Sequence, residues 1–400
     1  MKRRLLPILM TLVLVCALPI WAAFVTSGDV TNPLVSTAGA TLPDLQAKID
    51  AAEDNATITL DSDTTITETL VITGKTLTID LNGHVLKMTG DGSVLRVSDR
   101  ATLTITDSRP QNPHTGSYAG LPAGGVITGG KADKGGGILL AGGCTLKLTG
   151  GCITDCHATD TGGGGVVLNG DTAILYMSGT ARIENCTAGE TWGANAIFNS
   201  GTMYADGGTV DGTVNNQGTI RLSEGAAAET VFNGTVYNRS AGTIKAGRYN
   251  ETVENRGTIT GGIFYGGVTN DGGKINDGAY ETVTFNSDGG TPVEEAKVLR
   301  GQKVAKPTDD PTKSGYTFTG WEDANGAGAY DFNTPVIAPL TLTAKWEKNP
   351  SSGGYYYYPT PDTKADDAKG SPKTADPGVA LYAALSILSL TGLTCITKKR

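Results

Sequence analysis

Two stretches decide the fold: GGGILLAGGCTLKLTGGCITDCHA over residues 135–158, and GGGVVLNGDTAILYMSGTARIENCTA over residues 163–188. Their alignment places Leu140 opposite Leu168. Each stretch consists of short runs of alternating apolar residues separated by Gly, Asn or Asp, which is typical of β-strands joined by tight turns. A unit this short cannot bury its own apolar face, so we expect successive units to stack.

Asparagine recurs at one position of a second repeat further along the chain. The units read IFNSGTM, VNNQGTI and VENRGTI, and a looser copy precedes the last of them. The recurring residues are Asn199, Asn216, Asn238 and Asn255. Stacked coils of strands form a parallel β-helix with Ile, Val and Leu in interior columns. The four amides would then form a ladder at a turn, each bonded to the neighbouring coil.

Residues 40–278 fit this architecture throughout. Apolar segments recur before the repeats, at 57–60, 70–72, 77–81, 94–97 and 103–106. Leu45, Ile49 and Ala52 lie on one helical face after Pro43, which suits a first helical turn. This helix is predicted to cap the open N-terminal end of the solenoid, which would otherwise expose unpaired strand edges. The span resembles the right-handed β-helix repeats of bacterial surface proteins and pectin-degrading enzymes, which implies an all-β, right-handed parallel β-helix solenoid.

Residues 280–347 break the repeat. They contain VTFNSDGG, GYTFTGW, YDF and AKW in this order, between 283 and 346. This segment resembles the internalin B-type repeat, also called the Listeria–Bacteroides repeat. The resemblance implies a small β-grasp-like domain. Its large aromatic residues, Phe318, Trp321, Phe332 and Trp346, are predicted to form the core, because so small a unit cannot leave them exposed.

The N-terminus reads as a secretory signal peptide over residues 1–23. Three basic residues precede an apolar core from Leu5 to Trp21, and Ala22 and Ala23 supply small residues for signal peptidase. This segment predicts export, and it is left out of the prediction of the fold.

The C-terminus resembles the sortase sorting signal of Gram-positive surface proteins. A motif at 371–376 precedes an apolar run at 379–397, about 28 Å long as a helix, and a basic tail at 398–400. The residues of the recognition motif are Ser371, Pro372, Lys373, Thr374 and Ala375. Because the usual motif has Leu first and Gly last, the sortase class stays open. The resemblance implies cleavage after Thr374 and covalent attachment to peptidoglycan, with a transient membrane span. A permanent transmembrane anchor is the alternative.

Residues 348–370, rich in Ser, Gly, Pro and Tyr, read as a wall-spanning linker.

The net charge of the chain limits the classes of partner that we expect it to bind. Its 32 Lys and Arg against 40 Asp and Glu give a net charge of −8. An acidic chain argues against nucleic acid and anionic membrane surfaces as partners. We expect sortase and peptidoglycan as covalent partners, and a host or bacterial surface glycan or protein as ligand.

Four cysteines fall in one region, at 144, 152, 156 and 186. The repeat alignment places Cys156 and Cys186 at equivalent positions of adjacent coils, about 4.8 Å apart, within the range of a disulfide. Export permits a bridge, so the pair is predicted to be stacked thiols or a disulfide. Cys152, Cys156 and His157 lack a standard zinc spacing, so no metal and no cofactor are expected.

No catalytic motif of β-helix enzymes is present. Asp61, Asp63 and Glu68 form one acidic patch, and a second could form from residues 155, 160 and 171, but solvated turn residues explain both. The sequence therefore predicts a non-catalytic, cell-wall-anchored surface protein that is adhesin-like or binds a ligand. The alternative is an extracellular polysaccharide lyase or glycoside hydrolase on the same scaffold.

Overall fold

The computed structural model describes residues 43–160, 162–189, 193–324 and 328–350. The predicted signal peptide with Ala22 and Ala23, nearly all of the linker, and the sorting signal with Thr374 lie outside the described residues. The expectations about these segments therefore stay predictions.

The chain from Ala56 to Ile275 winds into a parallel β-helix with three faces, as the repeats predicted. The first face contains Ala56–Thr59, Thr76–Asp80, Thr102–Thr106, Thr145–Leu148, Thr219–Arg221, Thr243–Ile244, Thr258–Ile259 and Lys274–Ile275. The second face contains Thr64–Ile66, Val85–Met88, Val126–Thr128, Cys152–Thr154, Val231–Phe232, Arg248–Tyr249 and Ile263–Phe264. Two long strands, Ile174–Glu184 and Thr202–Val210, run through both faces.

The third face is a nine-stranded parallel sheet. Its strands are Leu70–Thr73, Leu95–Ser98, Ile138–Ala141, Val166–Asn169, Ile197–Asn199, Val214–Asn216, Val236–Asn238, Val253–Asn255 and Val268–Asn270. Three short strands, Lys131–Ala132, His157–Ala158 and Thr187–Ala188, pair beside it. Leu140 pairs with Leu168, so the alignment of the two long repeats is confirmed.

Apolar side chains fill the interior in columns. Leu103, Leu146 and Leu175 are register partners on consecutive coils of the first face, and each has an exposed fraction of 0%. Side chains alternate between the two sides of a strand, so one inward residue in two suffices to build each column. The short alternating runs of the repeats are the direct consequence.

The predicted asparagine ladder is present. Asn199 Nδ2 donates to Asn216 Oδ1 at 2.7 Å, and Asn216 Nδ2 donates to Asn238 Oδ1 at 2.8 Å. Asn238 Nδ2 donates to Asn255 Oδ1 at 2.7 Å. A glycine follows each ladder residue for a steric reason: a Cβ on Gly257 would lie 2.2 Å from the carbonyl oxygen of the coil below.

The N-terminal cap is a helix, Pro43–Ala51, as predicted. Leu45 and Ile49 are buried in the same core cluster as the β-helix columns. Lys75 Nζ donates to the carbonyl oxygens of Ile49, Asp50 and Ala52 at 2.8–3.1 Å. The lysine thus satisfies carbonyls that the end of a helix leaves without intrahelical partners.

The segment after the β-helix forms a four-stranded sheet. Its strand order is Ala296–Leu299, Tyr280–Asn286, Leu340–Lys348 and Tyr316–Asp323, and its two central strands are parallel. The fold class is therefore confirmed as an all-β solenoid followed by a small sheet domain. Trp321 is buried, but Phe318, Phe332 and Trp346 are only half-buried around it. The prediction of four core aromatics overstated their burial, because a single small sheet encloses little volume.

This small domain also closes the C-terminal end of the β-helix. Phe264 N–H, in the last coil, donates to the Arg300 carbonyl at 2.8 Å. The Gln302 side-chain amide donates to the Phe264 carbonyl. Arg300 forms an ion pair of 2.5 Å with the buried carboxylate of Glu281. Backbone groups that an open solenoid end would leave unpaired are thereby satisfied.

Candidate functional site

A long connection between two strands of the β-helix, residues 108–124, covers part of the second face. It contains a short 3-10 turn, Gly116–Tyr118. Tyr118 and Leu121 pack on outward side chains of the strands below, including Val126 and Cys152. Lys87 Nζ lies 5.6 Å from the centroid of the Tyr118 ring. This external apolar cluster fixes the connection against the coils.

Asp107 anchors the base of this connection. Its Oδ1 accepts hydrogen bonds from the backbone N–H groups of Gly83 at 2.7 Å and Arg109 at 3.2 Å. Its Oδ2 accepts from the N–H of Gly125 at 2.6 Å. Both carboxylate oxygens are therefore occupied by backbone donors, and the side chain has an exposed fraction of only 9%.

A cavity of about 360 Å³ lies between this connection and the turns of the next coils. We call it the loop groove; its lining includes Asp107, Pro110, Gln111, Ala123, Thr180 and Arg182. Arg182 Nη2 donates to the Ala123 carbonyl at 3.1 Å. Its Nη1 lies 3.9 Å from a carboxylate oxygen of Glu184. The guanidinium thus ties the far side of the groove to the loop.

The first predicted acidic patch consists of exposed residues outside the strands. Asp63 Oδ1 accepts from the N–H of Val85 at 2.9 Å and lies 3.4 Å from His84 Nδ1. Asp61 and Glu68 are exposed on neighbouring turns. Asp63 therefore has a local structural role.

The second predicted patch is likewise composed of exposed turn residues. Asp155 has a left-handed backbone, with φ of 50°. Asp160 N–H donates to the carbonyl of Asp133, and Asp171 lies in a separate turn. Within the described part of the chain, no group of three His, Cys, Asp or Glu side chains could hold a metal ion.

Cys156 and Cys186 lie at the same level of adjacent coils, because His157 pairs with Thr187 in register. Both are buried free thiols, as are Cys144 and Cys152. A hydrogen bond with Cys186 and burial raise the pKa of Cys156 well above its usual value. Burial, with Glu184 nearby, also raises the pKa of Cys152. Thiols of this kind are protonated at neutral pH and react slowly.

If oxidation of the folded chain forms a disulfide, it should join Cys156 to Cys186. Native chain treated with iodoacetamide should keep both thiols unmodified, and the unfolded chain should react at both. A bridge would stabilise the fold by about 3 kcal/mol through its effect on the unfolded chain. Peptide mapping without reductant measures the pairing. A product that joins Cys156 to Cys144 or Cys152 would contradict the stacking of the two coils.

The loop groove was not found by sequence reasoning. Its only sequence signal is a gap in the repeat: the register partners Leu103 and Leu146 are separated by far more residues than Leu146 and Leu175. Such an interruption indicates an inserted loop, and loops on a rigid scaffold often carry function. Which coils the loop covers depends on packing that the interruption does not encode.

Comparison with known proteins supports the prediction that the second domain contains a Listeria–Bacteroides repeat. Residues 282–345 match the Listeria-Bacteroides repeat domain family. Two curated proteins of Evansella cellulosilytica are similar over 70 residues, at 40% and 39% identity. They are named "Putative Gly-rich membrane protein" and "Putative membrane protein". Each match covers 17% of this chain, but only 8% and 10% of the relatives.

No solved structure matches the chain. Among the described residues, no helix has the length and apolarity needed to cross a membrane.

Proposed function

We propose that this chain is a surface protein that a sortase joins to a Gram-positive cell wall, and that its β-helix displays a binding surface without catalysis. The support for the location is the order of sorting motif, apolar span and basic tail. The Listeria-Bacteroides repeat and the membrane-protein names of the two relatives agree with an exported, surface-associated chain.

One observation carries the non-catalytic part of the proposal. Among the described residues that line the loop groove, the carboxylate of Asp107 and the guanidinium of Arg182 both hold the surrounding backbone. General acid–base catalysis needs a group that can exchange a proton with a substrate in the groove. The Asp107 carboxylate, with both oxygens bonded to backbone N–H groups, therefore has a positional role.

The attachment chemistry would use the chain as substrate. A sortase cysteine thiolate attacks the Thr374 carbonyl, the peptide bond to Ala375 breaks, and a thioester to the enzyme forms. A cell-wall amine then attacks the thioester and releases the thiol, which leaves an amide between Thr374 and peptidoglycan. Pro372 would set the bend that presents the scissile bond.

Thr374→Ala should convert the chain from a wall-bound to a membrane-associated form. We expect muralytic digestion to release most of the wild type and detergent to release most of the variant. Cell fractionation with immunoblotting measures both. Thr363→Ala, in the same tail but outside the motif, is the matched control and should behave as wild type. Complete extraction of the wild type by detergent alone would overturn the proposal of wall attachment.

The second candidate function is a polysaccharide lyase or glycoside hydrolase, favoured by the presence of a carboxylate and a guanidinium in one groove. We expect the purified chain not to shorten pectin, host glycans or peptidoglycan. Chromatography of the products checks this. Reproducible product release that Asp107→Asn or the double change Asp155→Asn, Asp160→Asn abolishes would favour the enzyme.

A further inference from the structure

A column of outward side chains runs along the first face, parallel to the β-helix axis. Lys147, Tyr176, Tyr204 and Arg221 are register partners on consecutive coils. Lys245 is next, because it follows Ile244, the register partner of Ile220, and its N–H donates to the Ile220 carbonyl. We call these five residues the basic column. Its three cationic residues are exposed and its two tyrosines half-exposed.

The two tyrosine rings pack against each other. Their centroids are 4.4 Å apart and their planes differ by 4°. The guanidinium carbon of Arg221 lies 5.2 Å from the centroid of the Tyr204 ring. Facing ring surfaces are therefore occupied within the column, and the partly exposed edges and hydroxyls remain for a ligand.

The basic column presents hydrogen-bond donors and positive charge. Lysine and arginine side chains carry donors and no acceptor. Burial, followed by the neighbouring Tyr204, raises the pKa of Tyr176, so its phenol stays protonated. With coils about 4.8 Å apart, Lys147 and Arg221 are separated by about 14 Å along the axis.

The surroundings of the basic column add hydroxyls and one carboxylate, that of Asp206, which is already engaged. A parallel outward column on the same face contains Thr145, then the apolar Ile174, and then Thr202, Thr219, Thr243 and Thr258. On the other side, Asp206 is engaged by Ser223, which donates from its N–H at 2.7 Å and its hydroxyl at 2.6 Å. A straight strip of donors and cations therefore stands out on a chain with a net charge of −8.

We propose that the basic column binds a linear anionic polysaccharide that lies parallel to the β-helix axis. The proposal rests on the function proposed above and names the ligand class. Carboxylate or sulfate groups would accept from the cations, and sugar hydroxyls would bond the tyrosine and threonine hydroxyls. A single-stranded nucleic acid fits less well, because bases stack on open aromatic faces and the facing ring surfaces are already packed.

The test is binding of the purified full chain to immobilised heparin, hyaluronan, dextran and a single-stranded oligonucleotide. We expect binding to heparin if sulfate is the preferred group and to hyaluronan if carboxylate is, with none to neutral dextran. The binding should disappear in 1 M salt, where charges more than about 3 Å apart are screened. Absence of binding to both anionic glycans would overturn the proposal.

Two sets of substitutions locate the site. The triple change Lys147→Ala, Arg221→Ala, Lys245→Ala should weaken binding about tenfold or more, since it removes every cation of the strip. The matched control, Arg96→Ala, Lys131→Ala, Lys134→Ala, removes the same charge from exposed positions outside the column and should leave affinity unchanged. Equal losses in both triple variants would overturn the proposal.

A third variant, Tyr176→Phe with Tyr204→Phe, keeps the stacked rings and removes only the hydroxyls. It should weaken glycan binding a few-fold, and unchanged affinity would exclude the hydroxyls from the site. Tighter binding to the oligonucleotide than to either glycan, through the same cations, would overturn the glycan proposal in favour of nucleic acid.

Wall release and product analysis do not depend on these affinities. Failure of glycan binding therefore leaves wall attachment intact, whereas product release from a bound glycan would refute only the absence of catalysis.

Discussion

Tyr249→Ala should lower the free energy of unfolding by about 4 kcal/mol, in the range for removal of a large buried aromatic ring. Tyr249 lies inside the β-helix between Phe232 and Phe264, with ring centroids 4.9 and 5.1 Å away. All three side chains have an exposed fraction of 0%. The neighbouring rings are held at their own coil levels, so they cannot close the cavity. Guanidinium denaturation followed by circular dichroism measures the loss.

Two control variants separate the effect of the buried ring on stability from the effect of its hydroxyl and from the effect of losing any tyrosine in this region. Tyr249→Phe keeps the stack and removes the bond from the hydroxyl to the Ala246 carbonyl, 2.7 Å long. It should cost about 1 kcal/mol. Tyr265→Ala removes an exposed tyrosine close to the same coil and should change stability by less than about 0.5 kcal/mol. A stability of Tyr249→Ala within 1 kcal/mol of wild type would contradict the interior stack.

Asn216→Ala should lower the free energy of unfolding by about 3 kcal/mol, because it removes one hydrogen bond from each of two buried amide groups. Asn199 Nδ2 would lose one of its two acceptors and keep the Thr219 carbonyl, and Asn238 would lose the donor to its Oδ1. All three side chains have an exposed fraction of 0%, so bulk water cannot replace the lost bonds. The denaturation midpoint of the purified chain measures this change.

An exposed ladder offers a matched control for the buried one. Asn250 Nδ2 donates to Asn233 Oδ1 at 2.7 Å, and Asn233 Nδ2 donates to Asp211 Oδ1 at 2.5 Å, all in solvent. Asn250→Ala should cost no more than about 0.5 kcal/mol, since water takes over the bonds. Equal effects of Asn216→Ala and Asn250→Ala would show that burial does not determine the contribution of the ladder.

The repeat pattern predicted the β-helix correctly because the chain carries its own register. Inward residues such as Leu140 and Leu168 recur at intervals set by one turn of the solenoid, and each coil meets only its neighbours. The asparagine ladder follows from the same regularity, since a polar residue repeated at one level must meet its own copy. Local pattern and tertiary contact therefore coincide in this part of the molecule.

The loop groove and the closed C-terminal end could not be read in this way. The connection at 108–124 repeats nothing, and its position follows from Tyr118 and Leu121 packing on strands that are distant in sequence. No sequence pattern predicts that the Arg300 carbonyl and the Gln302 side-chain amide bond the backbone of Phe264 in the last coil. Contacts between non-repeating segments depend on shape and on orientation in three dimensions.

The sequence by itself determined the periodic features: the stacked coils, the buried asparagines, the helical cap and the boundary of a different small domain. It also supplied the predicted export and sorting signals on which the proposal of wall attachment rests. Only the tertiary structure decided which outward side chains share a face, because outward positions carry no apolar signature. Lys147 and Arg221 are 74 positions apart in the printed sequence, yet they belong to one straight column. Backbone register between coils brings them together, and neither residue encodes that register alone.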